Sequence, residues 1–292
     1  MTKENNGNKK GNTGYKQEIA KLFDRLEIGV KSTFSSDNFK KYLELMSKFH
    51  TYSANNVCLI LMQCPSASMV ASATKWKSME RTIKRGSKAI RILIPNFYKK
   101  KIETEEKDEN GDPIIIEKDA VYFSIGNVFD VEQTEGEELP SICNELQDDS
   151  EEIKTIIEAV TSVAEVPVMY WNLKDGSKGF YSKQKNQIVV KKDMTTSQTL
   201  KTLVHETAHS RLHNKETEKP RQVKEIEAES IAFVVCSYFG LDTSEYSFEY
   251  VANWARDKET TELREILNSI QKETKKLIQE IEVKLLEKES VA

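Results

Sequence analysis

Between Glu103 and Glu152 the chain carries 18 acidic residues against two basic ones, Lys107 and Lys118. That run divides the sequence. Residues 1–102 hold 20 Lys or Arg against seven Asp or Glu, and residues 153–292 are close to neutral. Within the acidic run Glu132–Asp149, with few apolar residues, is the linker candidate, so two packed units with a solvated connector are expected. A length of 292 residues agrees with two domains of roughly 150 each. The expected organisation is a disordered tail over 1–14, a first domain over 15–132, an acidic linker over 133–150, a second domain over 151–255 and a C-terminal helix over 256–292.

Hydrophobic periodicity fills in the first unit. Apolar residues recur at three and four through Ile19, Leu22, Phe23 and Leu26, then Phe39, Leu43, Met46 and Phe49, then Val57, Ile60 and Leu61. This predicts three helices. Ala89–Pro95 reads as a strand closed by its proline, and Asn110-Gly111 is a hairpin signal before the apolar runs Ile114–Ile116 and Ala120–Phe123. In the second unit Ile153–Val163 is an amphipathic helix, and Val166–Trp171, Gly179–Ser182 and Gln187–Val190 are short strands of a meander. Leu200, Leu203, Val204, Ala208 and Leu212 mark a further helix capped by Thr195, Thr196 or Ser197, and Glu225–Phe239 is another, ended by Gly240. The last helix, about Glu259–Glu289, carries Leu267, Ile270, Thr274, Leu277 and Ile281, which fits packing on its own domain better than a coiled coil of barely three heptads. The fold class expected is α+β.

Cys58, Cys64, Cys143 and Cys236 form no C-x-x-C pair and argue for free thiols. The longest apolar run, Val57–Met62, is far too short to span a bilayer. The opening residues have no apolar signal core, so a cytoplasmic location with no membrane partner is expected.

His205-Glu206-Thr207-Ala208-His209 is an H-E-x-x-H motif inside a helix identified independently by its periodicity. Histidines at i and i+4 share a helix face and can converge on one ion, with Glu206 beside them to take a proton from water. One zinc ion is expected, with another divalent transition metal as the alternative, and a third ligand is needed. Glu225 and Glu229 lie one turn apart on the next helix. Glu225 is assigned as ligand and Glu229 as acceptor from a ligand histidine's free N–H, with the reverse assignment open. Glu227 points elsewhere, His213 and His50 are read as structural, and Tyr170 or Tyr181 could supply a hydroxyl to an oxyanion.

Between Lys75 and Lys101 there are ten basic residues against one acid, Glu80, with Trp76, Phe97 and Tyr98 interleaved and Tyr52, Asn55 and Asn56 shortly before. Cations that track phosphates and rings that stack on bases suit single-stranded nucleic acid. A solvated basic face is the alternative.

The stretches Tyr52-Ser53-Ala54-Asn55-Asn56, Gln63-Cys64-Pro65, Trp76, Arg81–Gly86 and Asn127–Thr134 resemble the N-terminal domain of ArdC-like antirestriction proteins. His205–His209 and Glu225–Glu229 are similar to the zincin-like metallopeptidase domain of those proteins and of the ImmA/IrrE group. The resemblance implies a mobile-element or plasmid protein that binds single-stranded DNA during conjugation and protects it from restriction. It places metal on His205, His209 and Glu225, and the ImmA/IrrE pattern usually has Asn where this chain has Glu229. The basic-aromatic run together with the resemblance puts DNA on Tyr52, Asn55, Asn56, Trp76, Arg81, Lys84, Arg85, Lys88 and Arg91. Two other readings stand beside it. One is a regulatory peptidase of the ImmA kind that cleaves a repressor, and the other a non-catalytic adaptor of a conjugative machine. A protein substrate or a restriction-system component is the further partner expected.

Overall fold

The computed structural model describes residues 7–107, 113–137, 139, 150–174, 176–214 and 219–290. Three helices open the chain, α1 (Gly7–Thr33), α2 (Ser36–Lys48) and α3 (Ala54–Gln63). The periodic residues Leu22, Leu26, Phe39, Leu43, Met46, Val57 and Ile60 are all buried. Ser53 starts α3 by accepting the Asn56 backbone N–H at 3.3 Å. Helix α1 begins inside the segment expected as a tail, because extending a helix already anchored by Leu22 and Leu26 needs no new nucleus.

A long antiparallel ribbon follows. Strand β3 (Ile90–Lys107) pairs with β4 (Pro113–Asp130), and β1 (Val70–Ser72) lies on the far side of β4. Pro95 does not close the strand as expected. β3 is an edge strand, where a residue without an N–H interrupts no ladder. The Asn110-Gly111 turn lies outside the described residues. Helix α4 (Ala73–Ser78) leads into β2 (Arg81–Ile83), which pairs with β5 (Thr134–Gly136). The segment expected as connector therefore starts as structure. Asp130 holds the turn before β5: its carboxylate accepts from Ser68 N at 2.8 Å and Glu132 N at 3.1 Å, while Gln133 Oε1 accepts the Asp130 N–H at 2.9 Å. Residues 138 and 140–149, including Cys143, lie outside the described residues.

The second half begins with α5 (Glu151–Val163) and the strands β6 (Val168–Trp171), β7 (Gly179–Ser182) and β8 (Gln187–Lys191). Their order is β6-β8-β7, with β6 parallel and β7 antiparallel to β8, so they are not the meander expected. The reason is legible in β8. Ile188, Val189 and Val190 are all fully buried, and a continuous apolar run belongs at the centre of a sheet. Helices α6 (Thr196–Leu212), α7 (Arg221–Tyr238), α8 (Glu249–Ala255) and α9 (Thr260–Glu289) complete the fold, α8 being unforeseen.

The two halves share one apolar core. Val57–Leu61 of α3 is buried throughout, and a helix apolar on every side needs neighbours on every side. Helix α9 supplies one of them, its Leu267, Ile270, Leu277 and Ile281 facing inward. Phe39 meets Phe248 with ring centroids 5.4 Å apart, Phe34 meets Trp254 at 6.2 Å, and Gln271 donates to the His50 carbonyl at 3.0 Å. Cys58 and Cys236 are buried free thiols. Among the described residues no helix is long and apolar enough to cross a membrane.

Candidate metal centre

Helix α6 is set by its cap, the Thr195 hydroxyl accepting the Gln198 N–H at 3.3 Å. Leu203, Val204 and Ala208 turn inward, so His205 and His209 emerge on one partly exposed face. Helix α7 follows Pro220, which is pre-organised for a helix start, and ends at Gly240 with φ +80°. Ala208, Ala228 and Ala232 are buried to within 1 % of complete, and such small side chains let α6 and α7 pack closely.

The imidazoles converge. His205 Nε2 and His209 Nε2 are 3.0 Å apart, and Glu225 Oε2 lies 3.6 Å from the first and 3.5 Å from the second. Donors on a tetrahedral ion with bonds of about 2.0–2.1 Å stand roughly 3.3–3.4 Å from one another, so this His-His-Glu set fits a divalent transition metal. His205 Nδ1 lies 3.0 Å from Glu229 Oε2. Glu229 therefore orients the His205 ring, and Glu225 Oε2 faces both Nε2 atoms at the corner a third ligand would take. Glu227 points away from that corner toward His213, which contacts His209.

Glu206 is 8 % exposed at the edge of a cleft of about 490 Å³ whose wall also includes His205, Lys178, Lys201 and Tyr246. Burial pushes its carboxyl up, opposed by His205, His209 and the backbone N–H of Tyr181 in β7. Strand β7 comes this near because residue 179 is glycine. A Cβ there would stand 2.6 Å from Thr202 Cγ2 and 2.8 Å from the Val189 carbonyl oxygen. Burial draws His205 down, yet the hydrogen bonds to Glu225 and Glu229 prevail and lift it to about 10. The same bonds from His205 and His209 hold Glu225 well below the usual carboxylate range. A buried carboxylate with raised proton affinity beside a cluster of metal-type donors has the chemistry of an acid–base group.

Neither Tyr170 nor Tyr181 lines the cleft, and the Tyr181 hydroxyl donates to Asn186 at 3.0 Å. The tyrosines nearby are Tyr246, in the cleft wall, and Tyr250, pushed up to about 12 by burial and by Glu229 and Glu225. Both lie around α8, which no strong periodicity announced.

The residues expected on DNA divide. Trp76 is fully buried with its indole N–H on the Phe129 carbonyl at 2.8 Å, and Asn56 bonds the backbone of Leu93. Tyr52 donates to the Val70 carbonyl at 3.3 Å, and Asn55 is half-buried. Arg81 clamps β5, its Nε on Thr134 Oγ1 at 2.8 Å and its Nη1 on the carbonyls of Gly136 and Glu137. Lys84 Nζ donates to the Glu132 carbonyl at 2.8 Å. These side chains build the unit. Arg91 is exposed beside Glu18, and Arg85 and Lys88 are exposed, as are Phe97 at 80 % and Tyr122 at 57 % on the ribbon. Sequence spacing could not reveal Tyr122, which the ribbon register brings opposite Asn96.

Residues 13–129 match the family model described as the N-terminal domain of anti-restriction factor ArdC. An uncharacterized Bacillus anthracis protein, pXO2-81, is 27 % identical over 286 aligned residues, covering 85 % of this chain and 48 % of the relative. The chain thus spans about half the length of that relative. The metal-free crystal structure of the antirestriction ArdC protein from plasmid R388 aligns with TM-score 0.51 at 16 % identity, over 81 % of this chain and 86 % of that one. An Mn(II)-bound crystal structure of the same R388 protein aligns with TM-score 0.49 at 15 % identity, over 80 % and 85 %. The chain is ArdC-like in its N-terminal domain and in its fold.

Proposed function

We propose that this ArdC-like chain is an antirestriction protein that binds single-stranded DNA and carries a divalent-metal centre with peptidase-like chemistry, zinc being the first candidate. The observation that carries the metal half is the convergence of His205 Nε2, His209 Nε2 and Glu225 Oε2 within 3.0–3.6 Å, with Glu206 beside them. The match of residues 13–129 to the ArdC N-terminal domain supports the DNA half.

A divalent ion held there supplies positive charge that polarises a carbonyl and acidifies water. The protein's own part follows from its geometry. Glu206, raised by burial, takes a proton at its carboxylate and returns it to a leaving group. The cleft beside it holds a substrate segment against β7 and α6. Exposed cations such as Arg85 and Lys88, with Phe97 and Tyr122 as stacking faces, are the DNA-facing groups of this reading.

The test is metal analysis together with binding of fluorescent single-stranded and duplex oligonucleotides at two salt concentrations. One ion per chain and a salt-sensitive preference for the single strand are expected. Absence of DNA binding with metal present would replace this reading with that of a regulatory peptidase. Glu206→Gln should keep metal and DNA binding and abolish any peptide cleavage.

A further inference from the structure

His209 is one end of a line of four side chains, and the other three members, His213, Glu227 and Lys219, lie away from the cleft. His209 Nδ1 is 2.9 Å from His213 Nδ1, His213 Nε2 is 3.0 Å from Glu227 Oε2, and Lys219 Nζ donates to Glu227 Oε1 at 2.6 Å. The Glu227 side chain is completely buried and that of His213 is 2 % exposed. A fully buried carboxylate that binds no ion and meets no substrate needs another task.

Hydrogen-bond accounting from the charged end supplies it. The Lys219 ammonium can only donate, and the Glu227 carboxylate only accept. As a neutral imidazole His213 then carries its proton on Nε2 and keeps a lone pair on Nδ1. A nitrogen–nitrogen contact of 2.9 Å is a hydrogen bond only if His209 Nδ1 holds the proton. The His209 Nε2 lone pair is thereby directed at the point where His205 Nε2 and Glu225 Oε2 meet. His205 is fixed more directly, through Glu229 on its own Nδ1.

We propose that His213, Glu227 and Lys219 are positioning residues that lock His209 into the tautomer able to take a metal ion. This rests on the metal-centre reading above and goes beyond it, because it gives a purpose to Glu227 and His213. Glu225, Glu227 and Glu229, alternate residues of one helix turn, then hold three different posts: ion corner, remote tautomer lock and near tautomer lock.

Glu227→Gln discriminates this role from packing, since the amide has the same shape. Facing the Lys219 ammonium, the amide must present its carbonyl there and its NH₂ to His213. His213 then has to accept at Nε2 and hold its proton on Nδ1, so the line reverses and His209 is pressed toward the wrong tautomer. In Lys219→Met/Glu227→Gln the amide is free to turn round, and the original direction is restored. Zinc affinity of the full chain by chelator competition should fall about 10–100-fold in Glu227→Gln and recover most of that in the double variant. Long-range imidazole nitrogen–proton spectra, simple in a chain with four histidines, should show the His213 proton move from Nε2 to Nδ1 and back. Unchanged zinc affinity in Glu227→Gln, or a loss without tautomer reversal, would overturn the lock while leaving the metal centre in place. Failure of the unaltered chain to bind zinc would overturn both.

Discussion

Asn56 and Leu93 are joined by two hydrogen bonds in opposite directions, Asn56 Nδ2 to the Leu93 carbonyl at 3.0 Å and the Leu93 N–H to Asn56 Oδ1 at 2.9 Å. One turn-pair along α3, Gln63 does the same to Arg91, at 2.8 Å and 3.0 Å. Two amide side chains thus stand in for a neighbouring strand along the free edge of β3, and Pro95 removes the next donor in that register. An uncovered edge is a template for unwanted pairing. Asn56→Ala leaves a buried N–H and C=O without partners and should cost about 1–3 kcal/mol in urea unfolding. Its effect on oligonucleotide binding, once folded, should be nil. A selective loss of DNA affinity in a fully stable Asn56→Ala protein would return that residue to the DNA surface.

Trp76 and Arg85 should separate in the same way. Trp76→Ala empties a fully buried site and is expected to destabilise by about 3–5 kcal/mol. Arg85→Ala and Lys88→Ala change exposed groups and should leave stability within about 0.5 kcal/mol. Each should instead weaken single-strand binding and reduce its salt slope by about one charge's worth, measured by fluorescence anisotropy across a salt series. Unaltered salt slopes in both variants would move the interface elsewhere.

The basic-aromatic pattern read from the sequence mixed two kinds of residue, exposed cations and side chains that build the unit. Spacing cannot tell a tryptophan that stacks on a base from one that fills a core, because both are aromatic residues among cations. The H-E-x-x-H helix was legible for the opposite reason. Its geometry is local, i and i+4 on a helix with an apolar back, and the Glu225 and Glu229 pairing follows from the same one-turn spacing. Strand order β6-β8-β7 was not legible, since pairing is decided by which strand is apolar on both faces once α6 packs over the sheet. Short α8 escaped because seven residues hold fewer than two full periods.

Arg211 ties α6 to α9 from a side chain only 2 % exposed, its Nη1 bonding Glu280 at 2.7 Å and its Nε lying 2.6 Å from Glu273. Removing one partner of a buried pair leaves the other charge unpaired. Arg211→Met should therefore cost about 3–5 kcal/mol in chemical unfolding. Arg211→Met/Glu273→Gln should recover a good part of it. Equal losses in the single and double variants would show that the contact contributes packing rather than charge pairing.

Acid should loosen the line behind His209. Burial lowers His213 from its ordinary 6.5, and Glu227, despite its burial, is held below its ordinary 4.5 by His213, Lys219 and Ser269. Both groups bind protons more readily unfolded than folded. The stability they confer is present above pH 6.5 for His213 and above 4.5 for Glu227, and is lost as pH falls through their folded values. Urea midpoints of metal-free protein should drop on acidification below pH 6.5. The drop should be shallower in His213→Gln, which has no ring to protonate. An identical acid limb in that variant would assign it to other carboxylates.

The alkaline side belongs to His205 and sets the pH dependence of metal loading. Burial alone would keep its ring neutral, but Glu225 and Glu229 raise it from 6.5 to about 10, so the metal-free centre holds a proton at neutral pH. That proton stabilises the folded chain fully below pH 6.5, and the contribution is lost as pH rises through about 10. An ion must displace it. Zinc affinity should accordingly climb about tenfold per pH unit from about pH 7 to 9, with one proton released per ion in weakly buffered titrations. Glu229→Gln removes one of the two acceptors and lets His205 lose its proton at lower pH, so the climb should level off sooner. Affinity that stays flat over that range, with no proton released, would mean that the ion does not bind where His205, His209 and Glu225 meet.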